Sequence, residues 1–417
     1  MPAPVAIIGG GWAGLACAME LSDAGVPVTV FESARQLGGR ARSVAWKSGG
    51  QTLYVDNGPH LMIGAYRETL RLFECLGTLP LIERRPLELI LPGFRLRLPR
   101  LPAPFHLAWG LLAARGLSPG EKLAAATFVA RLERRRFRLD RDLPVAELLV
   151  GQPPALVERL WEPICVAALN TPIETASARI FCNVLRASLM QTRADSDFVF
   201  ARSDLDRLFC APAAQFIAHR GGEIRLGHRV HASDLAALYN GTHDGTAYTA
   251  VVVACHPAHV GEFMPTGTRP PAPAWEPIHT TWLRFAAPLP FPYPMLGLGP
   301  GPAPWAFARD DIAPGMVAVV TSANGPHLAQ DRASREAGYL RCLEDRFGPL
   351  PELIDSLAIT EKRATFACRP DLPRPPPQLD DRLYLASDYA AGPYPATLEG
   401  AVASGVQCAR LILENTP

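Results

Sequence analysis

The run Val5-Ala6-Ile7-Ile8 is apolar at every position, and glycines follow it at once. After them apolar residues recur at helical spacing at Leu15, Met19 and Leu21, stop at Gly25, and give way to a second apolar run from Val28 to Phe31. This pattern predicts strand, glycine turn, helix and second strand, a βαβ unit with parallel strands. Further apolar strand-like runs occur in GGEIRLGHRV (221 to 230), TAVVVACHP (249 to 257, a strand ending at Ala254) and TTWLRFA.

Between residues 86 and 204 the pattern is helical and broken by proline. LPRLPAPFHLAWGLLAARGLSPGEKLAAATFVARLERRRFRL predicts a helix from about 105, a new helix start at Ser118-Pro119-Gly120-Glu121, and a basic end at Arg134, Arg135 and Arg136. Two readings stand: a buried helix with a solvated basic end, or an apolar surface flanked by arginine that lies in a membrane interface. LWEPICVAALNTP (160 to 172) is an apolar helix interrupted by Trp161, Glu162 and Asn170 and bounded by Pro163 and Pro172. Glu162 and Asn170 serve there either in capping and packing or on the wall of a substrate tunnel. The Pro-rich stretch 260 to 305 is expected to form loops within a lobe, and there are no internal repeats.

At 417 residues, two packed lobes are expected. A formal charge of +1 supplies no global field, so no nucleic-acid partner is expected. The nine cysteines include no C-x-x-C pair and no zinc-like spacing, so no metal site is expected. The N-terminus lacks a basic n-region, and no apolar run reaches the roughly 18 residues of a spanning helix. The expected location is the cytoplasm, with peripheral contact at the inner face of the cytoplasmic membrane.

Gly9, Gly11 and Gly14 form G-x-G-x-x-G inside the βαβ unit. The first allows the tight turn, the second lets backbone approach a pyrophosphate, and the third lets helix and strand pack closely. The helix N-terminus then points unsatisfied N–H groups at phosphate. Glu32 closes the second strand, where an acid accepts hydrogen bonds from ribose hydroxyls. Dinucleotide binding follows.

Gly38-Gly39-Arg40, a few residues on, resembles the extension found in flavoproteins of the amine oxidase and phytoene desaturase superfamily. LYLASDYAAGPYPATLEGAVASGVQCARLI (383 to 412) resembles the closing motif of the same superfamily. The resemblance implies FAD, with Asp388 near the ribityl and phosphate portion and a helix from about Ala396 and Thr397 aimed at the isoalloxazine ring. It also implies that backbone near Val230 meets the adenine. The implied architecture is α/β, a Rossmann-like FAD-binding domain from residues 1–85, 205–260 and 380–417, with a discontinuous α+β substrate domain from 86–204 and 261–379.

With DNGPHLMIGAYRETLRLF, LPAPFHLAWGLLAARGLS and LWEPICVAALNTP in this order, the chain more narrowly resembles the hydroxysqualene dehydroxylases, although that family usually has Gln where Pro59 stands. That likeness implies reductive removal of the hydroxyl of hydroxysqualene, a long-chain isoprenoid lipid, by an FAD enzyme whose electron donor the sequence does not name. Asp56 to His60 form either a structural Asx-type turn with an exposed or merely satisfied histidine or, as the superfamily likeness implies, a segment between ring and tunnel, Gly58 permitting close approach and Pro59 holding the turn. His60 is then the expected general acid, Asp56 holding it charged, with Glu162 in reserve. A carotenoid-type desaturase, an amine oxidase and a non-enzymatic isoprenoid chaperone are the competing readings. The amine oxidase reading is disfavoured by the absence of an aromatic residue at 396 to 400 and by the presence of three lysines only.

Overall fold

The computed structural model describes residues 4–264, 269–299 and 303–415. Its first lobe is built on a five-stranded parallel sheet in the order Glu223–Leu226, Val28–Glu32, Val5–Ile8, Ala250–Val253, Leu383–Leu385. Both chain ends therefore enter one sheet. The first strand is central and buried along its length, which is why it reads as an unbroken apolar run. The strand order reverses beside it, between Val28–Glu32 on one flank and Ala250–Val253 on the other, and such a reversal opens a crevice at the carboxyl ends of the strands.

The helix Trp12–Asp23 and the last helix, Leu398–Asn415, pack together over this sheet. Gly405 makes that contact possible, since a Cβ there would overlap the carbonyl oxygen of Ala13. The closing helix begins two residues later than the sequence suggests, because Thr397 acts as its start and accepts from the main-chain N–H of Gly400 at 3.0 Å.

The second lobe carries an antiparallel sheet ordered Met295–Gly297, Trp305–Ala308, Met316–Ser322, Trp275–Phe285, Leu353–Phe366. The Pro-rich stretch 260 to 305 contributes the strand expected at TTWLRFA and, where loops were expected, Met295–Gly297 as well; part of it, 265–268 and 300–302, lies outside the described residues. Helices Phe105–Ala113, Pro119–Arg134 and Glu162–Leu169 pack beside this sheet around one apolar core. The helix start at Ser118 is a complete capping box with Glu121. No helix among the described residues is long and apolar enough to cross a membrane.

Candidate functional site

A cavity of about 760 Å³ runs from the crevice of the parallel sheet into the second lobe. At the sheet end Gly9 has φ 121°, and a Cβ there would run into the backbone of Ala254 on the neighbouring strand. Gly14 lies behind it, where a Cβ would overlap the carbonyl of Gly9, so it serves helix packing and does not border the cavity. Gly11 differs: its only near neighbour is the Gly39 Cα, 3.9 Å from a notional Cβ, so a side chain there would project into open cavity. The helix it starts has no side-chain cap. These features suit a pyrophosphate, which fills the space and accepts from the bare helix N-terminus.

The Glu32 carboxylate accepts from the N–H of Gly10 and of Ala34, each at 2.7 Å, and borders the cavity where a ribose would sit. Val230 borders the same end. Gly38 donates its N–H to the Gly10 carbonyl at 2.9 Å, which brings Gly38, Gly39 and Arg40 across from the fingerprint. Arg40 then donates to Asp388 at 2.5 Å and to the Ala364 carbonyl at 2.9 Å. Two motifs 348 residues apart thus close one site through a half-buried ion pair. Ala396 and Thr397 border the cavity next to the N-terminus of the last helix. Together these residues fit FAD.

The loop after the strand Gln51–Asp56 meets the cavity through Asn57, Gly58, Pro59 and His60. Asp56 does not. Its Oδ1 accepts from Ser43 Oγ at 3.0 Å and from the Leu205 N–H at 2.8 Å, while Oδ2 is buried without a partner. Burial raises its pKa to about 7 against the lowering effect of these donors and of Arg309. The expected Asp56–His60 pair is therefore absent.

The partner of His60 is Asn57, whose Oδ1 lies 3.0 Å from Nε2. Asn57 Nδ2 donates to the Arg40 carbonyl at 2.7 Å and the Arg42 N–H donates to Oδ1 at 3.2 Å, which fixes the amide orientation. His60 Nε2 must then carry the hydrogen, leaving Nδ1 an acceptor. Burial, with Arg42 and Arg309, lowers its pKa to about 4, so the imidazole is neutral near pH 7. The expectation of a charged acid is corrected on this ground. The unusual backbone also falls on His60 (φ 40°) and not on Gly58.

Beyond this loop the walls are apolar, among them Leu87, Leu89, Ile164, Val184, Phe198, Met295 and Phe307. Pro163 and Ile164 face in, but Glu162 does not border the cavity; it is half-buried, and burial and the nearby Glu174 and Glu158 raise its pKa. This removes Glu162 as the reserve acid. Asn170 does border the cavity, yet all its polar atoms are engaged: Nδ2 donates to Thr365 Oγ1 at 2.9 Å and weakly to two carbonyls, and Oδ1 accepts from Ala323 at 2.7 Å. With φ 47° it is a left-handed helix cap. Tyr66 and Tyr394, which the sequence reading missed, also border the cavity near Thr397, and burial and Glu399 hold the Tyr66 phenol far above its usual range. No local periodicity marks either tyrosine.

Residues 12–286 match the family model for flavin containing amine oxidoreductase. A hydroxysqualene dehydroxylase of Sinorhizobium fredii is 29% identical over 100% of both chains. A zeta-carotene desaturase of Arabidopsis thaliana is 26% identical over 58% of this chain and 46% of its own. The cyclohexylamine oxidase of Brevibacterium oxydans shares the fold, with TM-score 0.69, 17% identity and 99% coverage of each chain. With the dinucleotide crevice, the Arg40–Asp388 closure and this match across two thirds of its length, the chain belongs to the flavin containing amine oxidoreductase family and is an FAD-dependent oxidoreductase.

Proposed function

We propose that the enzyme reductively removes the hydroxyl of hydroxysqualene to give squalene, for hopanoid or related lipid synthesis. The observation that carries this reading is the continuity of the cavity, which passes from the flavin site into a chamber walled by aliphatic and aromatic side chains. Such a chamber suits a long hydrocarbon and leaves little to hold a small polar amine. The full-length similarity to hydroxysqualene dehydroxylases supports the same substrate.

In this reaction the C–O bond breaks, the oxygen takes a proton and leaves as water, and the carbon takes a hydride. Reduced FAD supplies that hydride when bound. The chain's own share is to keep the chamber dry, so that water does not recapture the allylic cation, and to hold the hydroxyl. The neutral His60 offers Nδ1 as acceptor for the hydroxyl hydrogen, and Tyr66, whose phenol stays protonated throughout the neutral range, is the candidate proton donor.

The test is anaerobic mixing of photoreduced enzyme with hydroxysqualene, following flavin absorbance and product together. Reoxidation with one squalene per flavin is expected. Unchanged reduced flavin sinks the proposal. The similarity to zeta-carotene desaturases favours a second reading, the same chamber worked oxidatively, and it predicts instead that a carotene bleaches the oxidised flavin.

A further inference from the structure

The helix Phe105–Ala113 divides its apolar residues between two faces. Leu107 and Leu111 are buried with Gly110, whereas Phe105, Trp109 and Leu112, spaced by four and three residues, are 66%, 56% and 64% exposed. Leu123 on the following helix is 65% exposed, and Lys122 Nζ donates to the Leu112 carbonyl at 2.7 Å, tying the two helices together. The exposed face of Pro119–Arg134 continues through Ala126, Thr127 and Ala130 to Arg134. Large apolar side chains gathered on one outer face cost free energy in water unless something covers them.

Charge identifies what covers them. Residues 97 to 138 hold nine basic residues and two acids, in a chain whose total is +1. We propose that this face docks on a bilayer containing anionic phospholipid, with Phe105, Trp109, Leu112 and Leu123 entering the headgroup and acyl boundary. The arginines would sit at the phosphates. An aromatic and aliphatic stripe fringed with long basic side chains is the pattern for which an anionic interface is the matching solvent.

The face also backs onto the chamber. Trp109, Arg95, Arg97 and Glu88 border one surface cleft, and Glu88 is held by Arg95 at 2.5 Å. Its neighbours Leu87 and Leu89 point the other way, into the cavity. One strand therefore separates the docked face from the apolar chamber, so a docked bilayer would lie one layer of structure away from that chamber. The docking itself does not depend on which lipid reaction is catalysed.

Flotation of the flavin-loaded protein with phosphatidylcholine vesicles, with and without phosphatidylglycerol, tests this. Binding that requires phosphatidylglycerol and weakens with salt is expected. The triple variant Phe105→Ser, Trp109→Ser, Leu112→Ser should lose about 10-fold or more in partitioning, with flavin absorbance and turnover of detergent-solubilised substrate unchanged. Arg134→Glu with Arg135→Glu and Arg136→Glu should abolish the phosphatidylglycerol dependence. Wild-type protein left at the bottom of the gradient, or a triple variant that floats equally well, overturns the proposal. So does a vesicle-independent dimer that the triple variant dissociates, which would make the face an interface between copies.

Discussion

Asp56 and His60 stand four residues apart and are displaced in opposite directions by the same burial. The folded pKa of Asp56 is about 7, above the 3.8 of an ordinary aspartate, so the folded state holds this proton more tightly. Its contribution is most favourable below pH 4 and is lost as pH rises toward 7, a change of about 4 kcal/mol. The folded pKa of His60 is about 4, below 6.5, so its contribution is present above pH 6.5 and is lost as pH falls toward 4. Between these limits the two slopes oppose each other. Asp56→Asn should therefore raise stability relative to wild type increasingly from pH 4 to 7, and His60→Gln should do so increasingly from pH 6.5 to 4, both read by urea denaturation. A parallel pH profile in either variant would show that the group titrates normally in the fold.

Neither His60 nor Tyr66 titrates between pH 5 and 8, so reoxidation of the reduced flavin by hydroxysqualene should be flat across that range in Asp56→Asn, which removes the neighbouring group that ionises near pH 7. His60→Ala should retain flavin and slow this step about 10²-fold. A wild-type rate that falls as pH rises through about 4 would return the acid role to a protonated His60. Gly11→Val should purify without flavin, since its side chain would fill the space facing Gly39; full flavin absorbance would mean that the pyrophosphate lies elsewhere.

Among the elements, several are anchored by side chains distant in sequence. The buried Glu399 carboxylate accepts from the N–H groups of Glu68 and Thr69 at 3.0 Å each and from Thr69 Oγ1 at 2.8 Å, capping the helix Arg67–Cys75 from the start of the last helix. Asn170 likewise ends one helix while joining three segments of the antiparallel lobe. Asn170→Ala leaves Ala323 N–H and Thr365 Oγ1 buried without that partner and should cost about 2–4 kcal/mol. Urea denaturation should show a lower midpoint at an unchanged slope. A cost below about 0.5 kcal/mol would mean that water replaces the amide.

For the whole molecule, the cavity joins residues from both ends of the chain, so FAD is a tie as well as a reagent. Ligand bound only by the folded state stabilises it by about 2.7 kcal/mol at a hundredfold excess over Kd. Flavin-free protein should melt at lower temperature, and added FAD should restore the midpoint in a concentration-dependent way. A midpoint indifferent to FAD would place the flavin outside the cooperative fold.

What the sequence determined by itself was local chemistry: the βαβ unit with its glycines and Glu32, the capping box at Ser118, and the strand within TTWLRFA. Each is set by residues a few positions apart, where backbone sterics, capping and periodicity act without the rest of the chain. Family likeness extended this to FAD and to the approach of Asp388 and the last helix to it, whereas the Arg40–Asp388 pair came from the structure. Only the tertiary structure decided which neighbours share a hydrogen bond. Asp56 turned to Ser43 and Leu205, His60 took Asn57, Glu162 turned from the cavity, and Leu111 went inward while Leu112 stayed out. Adjacent residues point to different surroundings, and the burial that moves the Asp56 and His60 pKa values is assembled from segments hundreds of residues apart.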